Sequence, residues 1–210
     1  MHISEGILSP PVLVAGAALS LAGLAIGIKS IKEEDVPKAA ILSAVFFTAS
    51  LIHVNIGPSS AHLILSGLIG LIARWAAFPI VFFGLLLQGV LFGFGGLSTL
   101  GVNTFTMAAP AALFGFLARR AVNSPNMALA SAAGLFCGAV PVLVSGILVA
   151  FSLYLSGDAF ATVGYVIVAA NLPVVVIEGL VAMFLVQFLR KVRPDLLRPT
   201  LLVAREAPLA

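Results

Sequence analysis

Ser9-Pro10-Pro11-Val12-Leu13-Val14-Ala15-Gly16-Ala17-Ala18-Leu19-Ser20-Leu21-Ala22-Gly23-Leu24-Ala25-Ile26-Gly27-Ile28 decides the class of fold, because no residue in this run is charged. About 20 apolar residues in a helix are enough to cross the hydrocarbon of a bilayer. Working outward, further apolar segments fall at 38–54, 60–73, 76–93, 103–120, 127–155 and 163–189. With 9–28 they make seven. Hydrophobic residues are 61% of the 210-residue chain and charged residues 9%, against about 25% charged in soluble domains. The mean hydropathy is +1.18. A soluble fold of this length cannot bury so much apolar surface, so lipid must cover most of it. The fold class expected is all-α: a polytopic membrane protein with about seven transmembrane helices in one domain, 1–210. The third segment is short and follows Gly57-Pro58-Ser59-Ser60. It reads as a helix beginning inside the membrane, where irregular backbone is tolerated only beside a cavity or packed protein.

The cations test the count. Lys29, Lys32 and Lys38 flank the first loop, Arg74 the third, and Arg119 and Arg120 the fifth; Arg190, Lys191, Arg193, Arg198 and Arg205 form the tail. With seven spans all eleven lie on one side, and the positive-inside rule makes that side cytoplasmic. The N-terminus is then outside and the tail, 190–210, inside, in the plasma (inner) membrane. The net charge of +3 reads as topology and contact with anionic lipid. No nucleotide-binding loop is present, and no basic-aromatic surface suggests nucleic acid. Met1-His2-Ile3-Ser4-Glu5-Gly6 lacks the basic n-region of a signal peptide, so no cleavage is expected. Cys137, the single cysteine, lies in an apolar run and reads as a core residue. Small residues recur four apart at Ala18/Ala22, Gly23/Gly27 and Ala40/Ala44, a spacing that lets helix backbones approach, within the chain or against a partner.

None of the three histidines stands among the cytoplasmic charges: His2 is at the terminus, His53 ends the second segment and His62 begins the third. Ionisable groups in membrane segments are functional candidates. Met1-His2 offers the Met1 amine, the His2 amide nitrogen and His2 Nδ1, which chelate one ion in fused rings and leave one corner open. Planar nitrogen sets suit Ni(II) and Cu(II), and imidazole suits late first-row metals generally. His62 is the candidate for the open corner. Glu178, in the seventh segment, reads as a ligand, a proton carrier or, preferred, a structural partner. Asn171-Leu172-Pro173 before it marks a kink. The loop Leu91–Asn103 is glycine-rich and outside, without the lysine that cradles phosphate.

These residues resemble a known family. Met1-His2-Ile3-Ser4-Glu5-Gly6 is similar to the start of the CbiM/NikM proteins, the substrate-specific components of energy-coupling factor transporters for cobalt and nickel. Gly57-Pro58-Ser59-Ser60-Ala61-His62, Gly95-Gly96-Leu97-Ser98-Thr99-Leu100-Gly101-Val102-Asn103 and Ile177-Glu178-Gly179 resemble further motifs in family order. The resemblance implies seven helices with the N-terminus outside, and an N-terminal segment, 1–9, whose Met1 amine and His2 nitrogens bind Co2+ or Ni2+ together with His62. It implies four partner subunits: a transmembrane scaffold, two cytoplasmic ATPases and a small membrane accessory protein. Two positions depart from the pattern. Phe94 stands where the family often has a polar residue, and Ala61 and Leu63-Ile64-Leu65 surround His62, which keeps His53 open as an alternative ligand. Transport energy would come from the partners, since this chain has no ATPase motif, and no enzymatic activity or organic cofactor is expected. The rivals are a vitamin-specific subunit, which needs an aromatic pocket; an intramembrane hydrolase using Ser59, Ser60 and His62, which lacks a nucleophile elbow; and a proton-coupled carrier using Glu178.

Overall fold

The computed structural model describes residues 2–51, 53–56 and 59–197. Its helices are α1 (Pro10–Ser30), α2 (Val36–Ala49), α3 (Ser66–Ala73), α4 (Ala77–Phe92), α5 (Leu100–Val122), α6 (Met127–Tyr154) and α7 (Ala161–Val192). Between α2 and α3 lies an antiparallel hairpin, β1 (His53–Ile56) and β2 (Ser59–His62), with His53 opposite His62 and Ile56 opposite Ser59. Among the described residues, five helical stretches are long and apolar enough to cross a membrane: Pro10–Ser30, Ser66–Phe92, Leu100–Val122, Met127–Tyr154 and Thr162–Val192. The 14 residues of α2 span only about 21 Å at 1.5 Å per residue, short of the roughly 30 Å hydrocarbon. The 8-residue α3 is shorter still, and meets α4 through a 3-10 turn at Arg74–Ala76.

The second and third segments therefore differ from expectation. The second helix stops at Ala49 rather than running to 54, and the third does not begin at 60: its helix starts at Ser66, after β2. The reason is physical. Val54 and Ile56 prolong an apolar run, and hydropathy alone cannot tell a short apolar strand from a helix end. The intervening Gly57-Pro58, a dipeptide whose composition favours turns, lies outside the described residues. The fifth helix also begins earlier, at Leu100, so Asn103 sits in its first turn and not in the glycine-rich loop. Pro173 lies within α7.

α5 is the hub, packed by α1, α3, α4 and α6, while α6 and α7 form the most extensive pair and α2 rests on α4. Phe46, Ile64, Ile69, Ile80 and Met107 share the main core. Large apolar side chains also point outward: Phe116 is 61% exposed, Phe151 55% and Phe184 62%. Such a surface is stable only when something other than water covers it, which is the signature of a membrane protein. Gly23 and Gly27 face inward, where an added Cβ would meet Phe78 and Pro79; that small-residue pair serves packing within the chain. Ala18, Ala22, Ala40 and Ala44 are exposed.

Several of the described cations, Lys38, Arg74, Arg119 and Arg190, gather at one end. A cavity of about 240 Å³ is lined by Ser30, Lys38, Arg74, Trp75, Arg119 and Asp195, which come from the ends of α1, α3 and α5, the start of α2 and the residues after α7. Arg190 adds a tie, donating from Nη1 and Nη2 to the carbonyls of Val122 and Ser124 at 2.8 Å each, as cations do at helix C-termini.

Candidate functional site

The site forms around residues 2–5. Ile3 is fully buried with Leu8, Val102, Val149, Leu153 and Ile167, which anchors the segment by its apolar side chain. Burial leaves the Ile3 main chain needing partners, and α5 supplies them. The Ile3 N–H donates to Asn103 Oδ1 at 2.9 Å, while its carbonyl accepts from Asn103 Nδ2 at 3.1 Å and Thr99 Oγ1 at 2.9 Å. Asn103 Nδ2 also donates to Thr99 Oγ1 at 3.1 Å. Thr99 and Asn103 are four apart and share one helix face.

The glycine-rich loop makes the second clamp. The Glu5 N–H donates to the Gly95 carbonyl at 3.2 Å, and the Glu5 carboxyl accepts from the Ser98 N–H at 3.2 and 3.4 Å. Gly95 holds φ +77°, which glycine adopts at no steric cost, and a Cβ on Gly96 would overlap the Glu5 carboxyl. The loop thus holds a peptide segment. Its quoted residues were visible in the sequence, but the roles of Glu5, Thr99 and Asn103 were not, because they act on backbone.

This clamp presents His2 to His62. Both are buried, at 3% and 2% exposure. His62 Nε2 lies 3.3 Å from His2 Nδ1, with ring centroids 4.6 Å apart and an interplanar angle of 33°. His62 Nδ1 is 2.8 Å from the Leu63 carbonyl; with the proton donated there, Nε2 turns its lone pair toward His2. Phe94 stacks beside His2 at 6.4 Å and 15°, and Phe92 beside Phe94 at 5.6 Å and 24°, so the position where a polar residue was expected carries an aromatic wall.

Of the expected site residues, the structure brings His2 and His62 together, 60 positions apart in sequence. Met1 lies outside the described residues. His53 stands opposite His62 in the ladder, and Ser59 and Ser60 lie on β2; the side chains of these three are outside the description. Glu178, 1% exposed, is bonded to main chain: its carboxyl accepts from the N–H groups of Ile64 and Leu65. Among the described residues no three His, Cys, Asp or Glu side chains gather to hold a metal. Two nitrogens each about 2.0–2.1 Å from one ion stand roughly 2.9 Å apart at a right angle and about 3.4 Å apart at the tetrahedral angle. The 3.3 Å between His2 Nδ1 and His62 Nε2 falls in that range.

Comparison with known proteins gives the same direction. The profile of the family described as CbiM, cobalt uptake substrate-specific transmembrane region, matches residues 2–196. A Haemophilus influenzae protein named as a metal transport protein is 37% identical over 203 residues, covering 95% of this chain and 98% of its own. The cobalt transport protein CbiM of Thermosipho melanesiensis is 30% identical over 206 residues, covering 91% and 87%. A crystal structure of a transition metal transporter superposes with a TM-score of 0.78 at 28% identity, over 91% of this chain and 93% of that one.

Proposed function

The chain belongs to the CbiM family of cobalt uptake substrate-specific transmembrane proteins, and from that premise we propose that it captures Co2+ or Ni2+ as the substrate-binding subunit of an ATP-driven energy-coupling factor importer. The observation that carries the reading is the pairing of His2 Nδ1 with His62 Nε2 at 3.3 Å. A divalent cation seated between these nitrogens draws both lone pairs and releases to solvent any proton they share.

Two imidazoles do not complete a coordination sphere. In this reading the remaining corners fall to the main chain. The Met1 amine and the His2 amide nitrogen complete a planar four-nitrogen set, with His2 Nδ1 and His62 Nε2 as neighbours on its edge. Such donors favour late first-row metals over Mg2+ or Ca2+, which take oxygen. The clamp of Asn103, Thr99 and Glu5 holds the chelating segment in place before the ion arrives, so less ordering is left to be done on binding.

In this reading the histidine end faces outward and the cationic end faces the cytoplasm of the cell bounded by this membrane, with α2 and α3 entering the bilayer beside the hairpin to make seven membrane helices in a single domain. A transmembrane scaffold, two ATPases and a small accessory membrane subunit supply coupling. The deciding experiment is ATP hydrolysis by the reconstituted complex with and without Ni2+ or Co2+. Metal-stimulated turnover is expected with this chain and not with its His62→Ala variant; turnover indifferent to both metals rejects the reading.

A further inference from the structure

Leu65 is one of two non-glycine residues with positive φ among the described residues, at +53°, a left-handed conformation that L side chains rarely adopt. It is the cap of α3, and no side chain of its own segment caps that helix. The uncapped N–H groups at a helix start need partners. Here α7 supplies a partner for the N–H of the cap residue itself and of the residue before it. Glu178 Oε1 accepts from the N–H of Ile64 and, at 2.8 Å, of Leu65, and Oε2 accepts from Leu65 at 3.0 Å. Successive N–H groups converging on one acceptor form a nest, a concavity that favours negative oxygen, and the helix N-terminus adds its dipole.

The packing is built for this reach. Gly67 of α3 lies so close to α6 that a Cβ would overlap the Cys137 carbonyl, and Gly138 of α6 lies so close to α7 that a Cβ would overlap the Glu178 carbonyl. Cys137 Sγ lies 3.1 Å from the Gly67 carbonyl. α3, α6 and α7 therefore meet without intervening side chains where the carboxyl crosses. The residue it holds, Ile64, is two positions from His62, whose Nδ1 is tied to the carbonyl of the residue between them.

We propose that Glu178 is a positioning residue for the metal site: by capping α3 from α7 it fixes the backbone at 64–65 and thereby the place of His62 Nε2 opposite His2. The inference rests on the reading that His62 binds the transported ion. It assigns Glu178 no contact with the metal and no proton to carry.

The test uses the full chain with its native terminus in lipid nanodiscs. Hydrogen exchange of residues 62–66 in the metal-free protein should be slow, faster in Glu178→Gln, which keeps one acceptor but turns a donor toward the Leu65 N–H, and fastest in Glu178→Asp and Glu178→Ala, which fall short of the nest. Ni2+ affinity should follow the same order, with a loss of about tenfold or more in Glu178→Ala, the scale seen when groups that orient metal ligands are removed. Bound Cu(II) should show one fewer coordinated nitrogen in its electron paramagnetic resonance. Val186→Ala, a cavity variant elsewhere on α7, controls for loss of stability and should keep both affinity and nitrogen count. If Glu178→Ala does not fold, the Gln and Asp variants carry the comparison. Unchanged exchange in these variants overturns the latch. Faster exchange with unaltered Ni2+ affinity and Cu(II) spectrum overturns the positioning role and leaves the metal site standing. Normal Ni2+ binding by His62→Ala would instead remove the premise, while exchange at 62–66 would still report on the latch.

Discussion

Ile3 and Asn103 exchange two hydrogen bonds, the Ile3 N–H to Oδ1 at 2.9 Å and Nδ2 to the Ile3 carbonyl at 3.1 Å, so that a side-chain amide on a helix pairs with the N-terminal segment as a neighbouring strand would. Asn103→Ala leaves the buried Ile3 N–H unpaired, at about 1–3 kcal/mol, and leaves the Ile3 carbonyl with Thr99 Oγ1 as its remaining donor. Asn103→Asp keeps the acceptor but sets a second oxygen against the Ile3 carbonyl. Both variants should reduce Ni2+ affinity in calorimetry by tenfold or more; equal affinity in Asn103→Asp would show that the clamp does not hold His2.

His2→Ala and His62→Ala should each abolish high-affinity metal binding while the protein still inserts, and His53→Ala should matter much less. Because binding displaces protons from the amine, the amide and the imidazoles, affinity should rise with pH. Loss of binding in His53→Ala with normal binding in His62→Ala would transfer the ligand role to the opposite strand.

The Met1 amine makes the sharpest demand. A tag fused ahead of Met1 removes the amine, and an alanine inserted between Met1 and His2 moves the imidazole by one residue. Transport should stop in both: the tag loses the metal, and the insertion holds it in the wrong place. Uptake by a protein shown to carry an intact tag would refute the chelate.

Close helix approach gives a stability prediction. Gly67→Ala drives a methyl into the Cys137 carbonyl, and overpacking of this kind costs about 1–3 kcal/mol or more, so the detergent-solubilised protein should melt early or fail to accumulate. Gly89→Ala meets nothing nearer than 3.8 Å and, within α4, should be neutral or stabilising by up to about 1 kcal/mol.

A reporter fused after Ala210 should read cytoplasmic on the proposed orientation, in which the end carrying Arg74 and Arg119 obeys the positive-inside rule. An outside readout breaks the seven-helix orientation.

The long helices were legible because an uninterrupted apolar run of about 20 residues has few other uses. The hairpin was not, since Val54 and Ile56 carry the same apolar character as the end of α2. His2 and His62 were legible as a pair because imidazoles away from the charged stretches are rare enough in such a chain to draw notice. Asn103 was legible only as part of a loop motif, and Glu178 as a ligand, a proton carrier or, preferred, a structural partner whose contacts the sequence did not name. Their partners are the N–H and carbonyl groups of Ile3, Ile64 and Leu65, and main-chain groups are the same at every residue, so no pattern of side chains announces them. Phe94 was legible only as a departure from a position often polar in the resembled family, and the ring geometry beside His2 shows what the aromatic does there.

The burial of His2 and His62 to 3% and 2% has a kinetic consequence. In the proposed reading an ion seated between them is occluded, held between the two elements that carry the histidines, the N-terminal segment and the hairpin. Capture and release then run at the pace at which one of these two covers lifts, not at the pace of diffusion. A tight site of this kind is slow to empty on its own, and delivering its cargo falls to whatever force pries the covers apart.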